Sequence, residues 1–127
     1  MNEMKENEVF DASFPATMEG LAAGTAFLDK IAFNPRIGVI FDEIASNVVR
    51  CSGASDFHVR VIRGENLTLI VSDSGAPFDP TKSEDPDVTA SAEDRKIGGL
   101  GLFLVKKMSK SFTYERKDNR NVVTVVL

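Results

Sequence analysis

The stretch "FHVRVIRGENLTLIVSDSGAPFDP", residues 57 to 80, decides how the chain must be read. "FHVRVIR" and "LTLIVSD" carry β-branched and aromatic residues, with Gly64-Glu65-Asn66 between them. That arrangement predicts a β-hairpin. The segment before it, from Met18 to Val48, keeps helical spacing, so the period changes here. The second strand ends on Asp73, and Gly75 follows where the backbone must turn. Asp and Gly are ordinary turn residues, and a strand-ending turn accounts for both. An ionised carboxylate accepts hydrogen bonds only, so Asp73 also suits an exocyclic amino group such as that of adenine. Gly75 would keep the backbone clear of such a ligand.

Toward the N-terminus, Met18, Leu21, Thr25, Leu28 and Ile31 fall on one helical face, and Thr17 stands as the N-cap of a helix running to about Phe33. Asn34-Pro35 then opens a second helix, an N-cap followed by proline at the first helical position. Ile37, Ile40, Phe41, Ile44 and Val48 carry that helix to the loop "CSGAS". Within it, "FDEIASN" sets Glu43 and Asn47 four residues apart and therefore on one face. A carboxylate there can serve as a general base, and an amide oxygen is a hard ligand that suits Mg²⁺. Taken alone, the pair also reads as a solvated helix face. Ahead of both helices, "VFDASF" is a short strand ended by Pro15.

Toward the C-terminus, "SGAPFDPTKSEDPDVTASAEDRK" is long for a connection inside one compact domain, which points to a functional lid or to disorder. Asp79, Glu84, Asp85, Asp87, Glu93 and Asp94 outweigh Lys82, Arg95 and Lys96, so it makes a poor direct phosphate clamp. "IGGLGLFLVKKM", residues 97 to 108, follows, with a helical stripe of Leu100, Phe103, Leu104 and Met108. Gly98, Gly99 and Gly101 at its start leave backbone N–H groups able to meet an anion. A hinge at the end of the loop accounts for them equally well. The spacing fits neither a dinucleotide fingerprint nor a Walker phosphate loop. Lys106, Lys107 and Lys110 read as the solvated side of this helix. "SFTYERK" and "NVVTVVL" form a closing hairpin turned at Asp118-Asn119.

Two hairpins and three helices predict an α+β two-layer sandwich, a largely antiparallel sheet with helices on one face. The 127 residues fit one domain able to bury its own core. A net charge of −4 with scattered basic residues argues against direct nucleic-acid binding. One cysteine, Cys51, fits a reducing compartment, and no signal-like or membrane-spanning apolar run appears, so a cytoplasmic location without membrane contact is expected. His58, the one histidine, leaves a zinc site or a histidine-based triad little to work with.

Glu-x-x-x-Asn on a helix, Asp-x-Gly after a strand, a long loop and Gly-Gly-Leu-Gly opening a helix together resemble the GHKL ATPase superfamily, with its Bergerat (histidine kinase-like ATPase) fold. The forms "DSGAPFDP" and "IGGLGLFLVKKM" are similar to those of the small bacterial serine kinases that act as anti-sigma factors. The resemblance covers nearly the whole chain. It implies a mixed, mostly antiparallel sheet, one domain over 1–127 and an ATP lid over about 79–97. It implies Glu43 as general base, Asn47 as the ligand of Mg²⁺, and Asp73 on the adenine amino group. Gly75 would shape that turn and Phe78 would stand near the lid's base. Gly98, Gly99 and Gly101 would let the helix start approach the phosphates of ATP.

The activity so implied is Mg-ATP-dependent phosphorylation of a serine on a STAS-domain anti-anti-sigma protein, alternating with sequestration of an RNA polymerase sigma factor. A homodimer is implied as well. An ATP-binding interaction module without phosphotransfer is the alternative, although binding alone has no need of Glu43. Many members carry histidine four residues after the Asn, where this chain has Cys51. A two-component histidine kinase would need a separate helical hairpin with its acceptor histidine, and a gyrase- or MutL-type ATPase a transducer domain. The length has room for neither.

Overall fold

The computed structural model describes residues 7–32, 34–82 and 99–127. In chain order the elements are β1 (Glu8–Pro15), α1 (Met18–Ile31), α2 (Pro35–Asn47), a π-helical turn (Val48–Ser52), β2 (Asp56–Arg63), β3 (Leu67–Asp73), a 3₁₀ turn (Pro80–Lys82), α3 (Gly99–Met108), β4 (Ser111–Lys117) and β5 (Arg120–Val126). Most of the lid expected over 79–97 lies outside the described residues, as do Gly98 and Phe33.

The five strands form one sheet in the order β1-β2-β3-β5-β4. Every pairing among the described residues is antiparallel. Alternation in β2, β3 and β5 sends Phe57, Val59, Val61, Leu69, Val71, Val123 and Val125 to one face, where all are buried. Leu28, Ile37, Ile40, Phe41 and Ile44 of α1 and α2 meet them there. The architecture is the expected α+β sandwich. The turn at Asp118 and Asn119 has positive φ at both residues, 53° and 60°, as a two-residue type I′ hairpin requires.

Both helix starts form as their cap residues dictate. The Thr17 hydroxyl accepts from the Gly20 N–H at 3.0 Å, and the Asn34 side chain accepts from the Arg36 N–H at 2.9 Å. Helix α1 stops at Ile31, two residues short of the sequence expectation, and Arg63 donates to the Ile31 carbonyl there.

Two expectations need correction. The stripe expected through Phe103 and Leu104 is not the buried one in α3; the side chain of Leu100 lies outside the described residues. Leu102 and Val105 face the core with Met108 packed beside them, while Leu104 is 42% exposed. Four consecutive apolar residues, "LFLV", leave the helical phase open, and docking against α2 selects it. The second helix also does not run through Val48 in regular form. It gives way to a π-turn directly after Asn47.

On the sheet face away from the helices, His58 bridges Ser13 (2.9 Å) and Asp11 (2.8 Å), and Arg60 shares Asp11. This explains the lone histidine as a surface cross-strand link between β1 and β2. Among the described residues no helix is long and apolar enough to cross a membrane.

Candidate functional site

The end of α2, the π-turn, the end of β3 and the start of β5 line a cleft that opens to solvent, with about 370 Å³ of empty space counting its open mouth. Ile44, Val48, Phe78, Pro80 and Val123 give it apolar walls, and Asn47, Cys51, Ser52, Asp73 and Asn121 add polar atoms. An apolar slot with a few fixed polar groups suits a flat heteroaromatic ring.

Asp73 is only 4% exposed. Its Oδ1 accepts from the Gly75 N–H at 2.8 Å and from Asn121 Nδ2 at 3.2 Å. Both donors bind the same oxygen, so Oδ2 has no protein donor among the described residues. The arrangement offers the cleft one oriented acceptor. A Cβ on residue 75 would run into the backbone of Ser52, so glycine is required for the turn to lie this close to the π-turn. The Ala76 N–H donates to the Ser52 carbonyl at 3.0 Å and ties the two segments together.

Asn47 stands on the last turn of α2. Its Nδ2 donates to the Glu43 carbonyl at 2.8 Å. A carbonyl can only accept, so this bond fixes which end of the amide is nitrogen and leaves Oδ1 outward. π-turns of the kind that follows occur disproportionately at functional sites. Here the turn carries Cys51 and Ser52 into the cleft wall. Cys51, a free cysteine, therefore lines the cleft.

Glu43, one helical turn before Asn47, is not part of the cleft wall. Its carboxylate lies directly against Gly101 of α3, filling the space that a side chain there would need. Oε2 is buried without a hydrogen-bond partner, the one such side-chain atom among the described residues. Burial raises the Glu43 pKa above its ordinary value, the nearby Asp42 carboxylate raises it further, and Arg50 opposes both. A partly desolvated carboxylate with an uncommitted oxygen has the properties of a proton acceptor.

Of the residues singled out in the sequence, Asn47, Asp73 and Phe78 share the cleft wall, with Gly75 behind it. Glu43 and Gly101 meet at a second point between α2 and α3. Gly99 begins α3. Phe78 is 43% exposed at the cleft rim.

Asn121 was missed by sequence reasoning, although it is 3% exposed and contacts Asp73. The signal was available: in β5 it alternates with Val123 and Val125 on the buried face, where an amide is unfavourable unless fully hydrogen-bonded.

The two-layer fold and this cleft define a histidine kinase-like ATPase domain. The chain belongs to that family, which matches residues 13–127. Domains of this family bind ATP. The chain is also similar to the serine/threonine-protein kinase BtrW of Bordetella bronchiseptica, at 31% identity over 90 residues, covering 66% of this chain and 63% of the relative. The chain thus spans a little under two thirds of that relative's length.

Proposed function

We propose that the chain is a serine protein kinase and anti-sigma factor, using Mg-ATP to phosphorylate a STAS-domain anti-anti-sigma protein. The observation that carries the kinase reading is the buried, unpartnered oxygen of Glu43. A module that only bound nucleotide would gain nothing from leaving a carboxylate oxygen desolvated and unpaired. The kinase name of the similar protein supports the same reading.

In this reading the adenine lies in the apolar cleft with its amino group on Asp73 Oδ2. The triphosphate would run along α2 toward the start of α3, where Gly98, Gly99 and Gly101 would offer backbone N–H groups. Asn47 fits as a cation ligand, because its Oδ1 points away from α2 and accepts no hydrogen bond among the described residues. Mg²⁺ bound there would neutralise phosphate charge. Glu43 accepts the proton of the partner's serine hydroxyl as its oxygen bonds to the γ-phosphorus. The bond from that phosphorus to the β–γ bridging oxygen breaks, and ADP departs with the electron pair. Glu43 stands outside the lining of the adenine cleft, which is consistent with base recognition and transfer acting at opposite ends of ATP.

Residues 79–97 would form the lid, and its closure would couple nucleotide state to the choice between STAS protein and sigma factor. The chain would act as one domain over 1–127, in the cytoplasm and as a homodimer, without direct contact to nucleic acid or membrane.

The test mixes γ-labelled ATP, Mg²⁺, the chain and a STAS-domain protein bearing an acceptor serine. Labelled phosphoserine is expected with the wild type and is lost in Glu43→Ala while ATP binding persists. No phosphoserine with the wild type would leave the ATP-binding interaction module as the function.

A further inference from the structure

Asp73, Asn121 and Arg116 stand in one row across β3, β5 and β4, each opposite the next. Both Asn121 donors are used, one on Asp73 Oδ1 at 3.2 Å and one on the Ala76 carbonyl at 2.8 Å. Its Oδ1 receives the Tyr114 hydroxyl at 2.6 Å, the Phe78 N–H at 3.2 Å and Arg116 Nη1 at 3.2 Å. Arg116 Nη1 also donates to the Gly75 carbonyl at 2.8 Å. The amide cannot flip, because the Ala76 carbonyl offers no proton and the Tyr114 and Arg116 partners act as donors. Three side chains of the β4–β5 hairpin therefore hold four residues of the turn from Asp73 to Phe78.

We propose that Arg116, on the edge strand β4, is a positioning residue for base recognition that acts through Asn121 and the Gly75 carbonyl to orient the Asp73 carboxylate. This rests on the reading of the cleft as an adenine-nucleotide site. The guanidinium beside Asn121 Oδ1 polarises the amide and strengthens its N–H bond to Asp73 Oδ1. Its second bond pins the carbonyl of the residue whose N–H meets the same oxygen. Asp73 is thereby held from both sides, with Oδ2 left for the ligand. Tyr114 contributes to the same end through its hydroxyl.

The test measures dissociation constants of the full chain for ATP and for purine riboside 5′-triphosphate, which lacks the 6-amino group. The wild type is expected to prefer ATP. Arg116→Met keeps the aliphatic stem but removes the donors, and the preference should fall by about tenfold, close to the low end for one charge-assisted hydrogen bond. Affinity for the purine analogue should change little. Arg116→Lys, which retains a cationic donor, should recover most of the preference. Tyr114→Phe removes a single hydroxyl without changing shape, and a drop of about threefold is expected. It decides the matter by itself if Arg116→Met does not melt cooperatively. A merely structural role would weaken both nucleotides equally and leave the ratio unchanged in these variants, which would overturn the proposal. A wild type that binds ATP without preference would instead remove the Asp73 reading on which it rests, and the proposal with it.

Discussion

The carboxylate of Glu43 occupies the space that a side chain at Gly101 would fill, so α2 and α3 meet through a functional group rather than through apolar packing alone. Gly101→Ala tests what that contact does. The atoms nearest the new Cβ are the far end of the flexible Glu43 side chain, which can swing aside. Alanine also favours a helix by about 1 kcal/mol over glycine, which offsets the disturbance. Melting temperature is expected to stay within a few degrees of wild type. Phosphate transfer should fall by about 100-fold, because misplacing a catalytic group by about 1 Å has effects of that order. Parallel thermal melts and labelled-transfer assays check both halves.

Glu43 should also set the pH dependence. Burial, reinforced by Asp42, raises its pKa. A base must be ionised, so transfer should rise with pH along a limb lying above the ordinary glutamate range. Stability moves the opposite way. Where the folded pKa exceeds the unfolded one, the native state binds more protons, so stability falls as pH rises through that window. Glu43→Gln should therefore melt at or above the wild-type temperature at neutral pH, and the advantage should vanish below the ordinary glutamate pKa. A melting series across pH reads this directly.

Asp73→Asn exchanges an acceptor-only group for an amide while keeping the shape of the buried turn. The introduced amide oxygen can still accept from the Gly75 N–H, so the fold should persist. ATP affinity should drop by about 10- to 100-fold, the range for losing a hydrogen bond to a charged group. Calorimetric titration with ATP measures it, and unchanged affinity would remove the adenine assignment.

The core offers a test independent of nucleotide. Phe41 is fully buried, its ring centroid 6.1 Å from that of Phe57 in a tilted pair, and its ring tip would lie 2.5 Å from a Cβ at Gly24. Phe41→Ala should lower unfolding free energy by about 3–5 kcal/mol, and Gly24→Ala by about 1–3 kcal/mol less any helix-propensity gain. The double variant should lose less than the sum, since removing the ring removes the collision. Urea unfolding of the four proteins closes the cycle.

The hairpins and helix caps were legible in the sequence because their causes are local. Alternation of Phe57, Val59 and Val61 defines a sheet face, and Thr17 and Asn34 bond within three residues of themselves. Asn47 and Asp73 were singled out through the order of the motifs along the chain, and the structure brings both to one cleft wall, with Glu43 outside it. The phase of α3 was not legible, because "LFLV" is apolar at every angle and only the facing helix chooses Leu102 and Val105. The π-turn after Asn47 leaves no mark in a 3.6-residue period. Asn121 sits in a strand that reads as valines, and its importance comes from Asp73, which is 48 residues away.

The strand order has a consequence for how a newly made chain acquires its pocket. β5 follows β4 in sequence, yet it lies between β3 and β4. Until it inserts, β4 has no place in the sheet, Tyr114 has no acceptor on Asn121, and Asp73 lacks half of its support. Such long-range pairing forms late, after the local hairpin of β2 and β3. Growing or partly unfolded chains that lack β5 would thus be blind to ATP, however well their first hundred residues had folded. Sensitivity to nucleotide would begin only when the sheet closes.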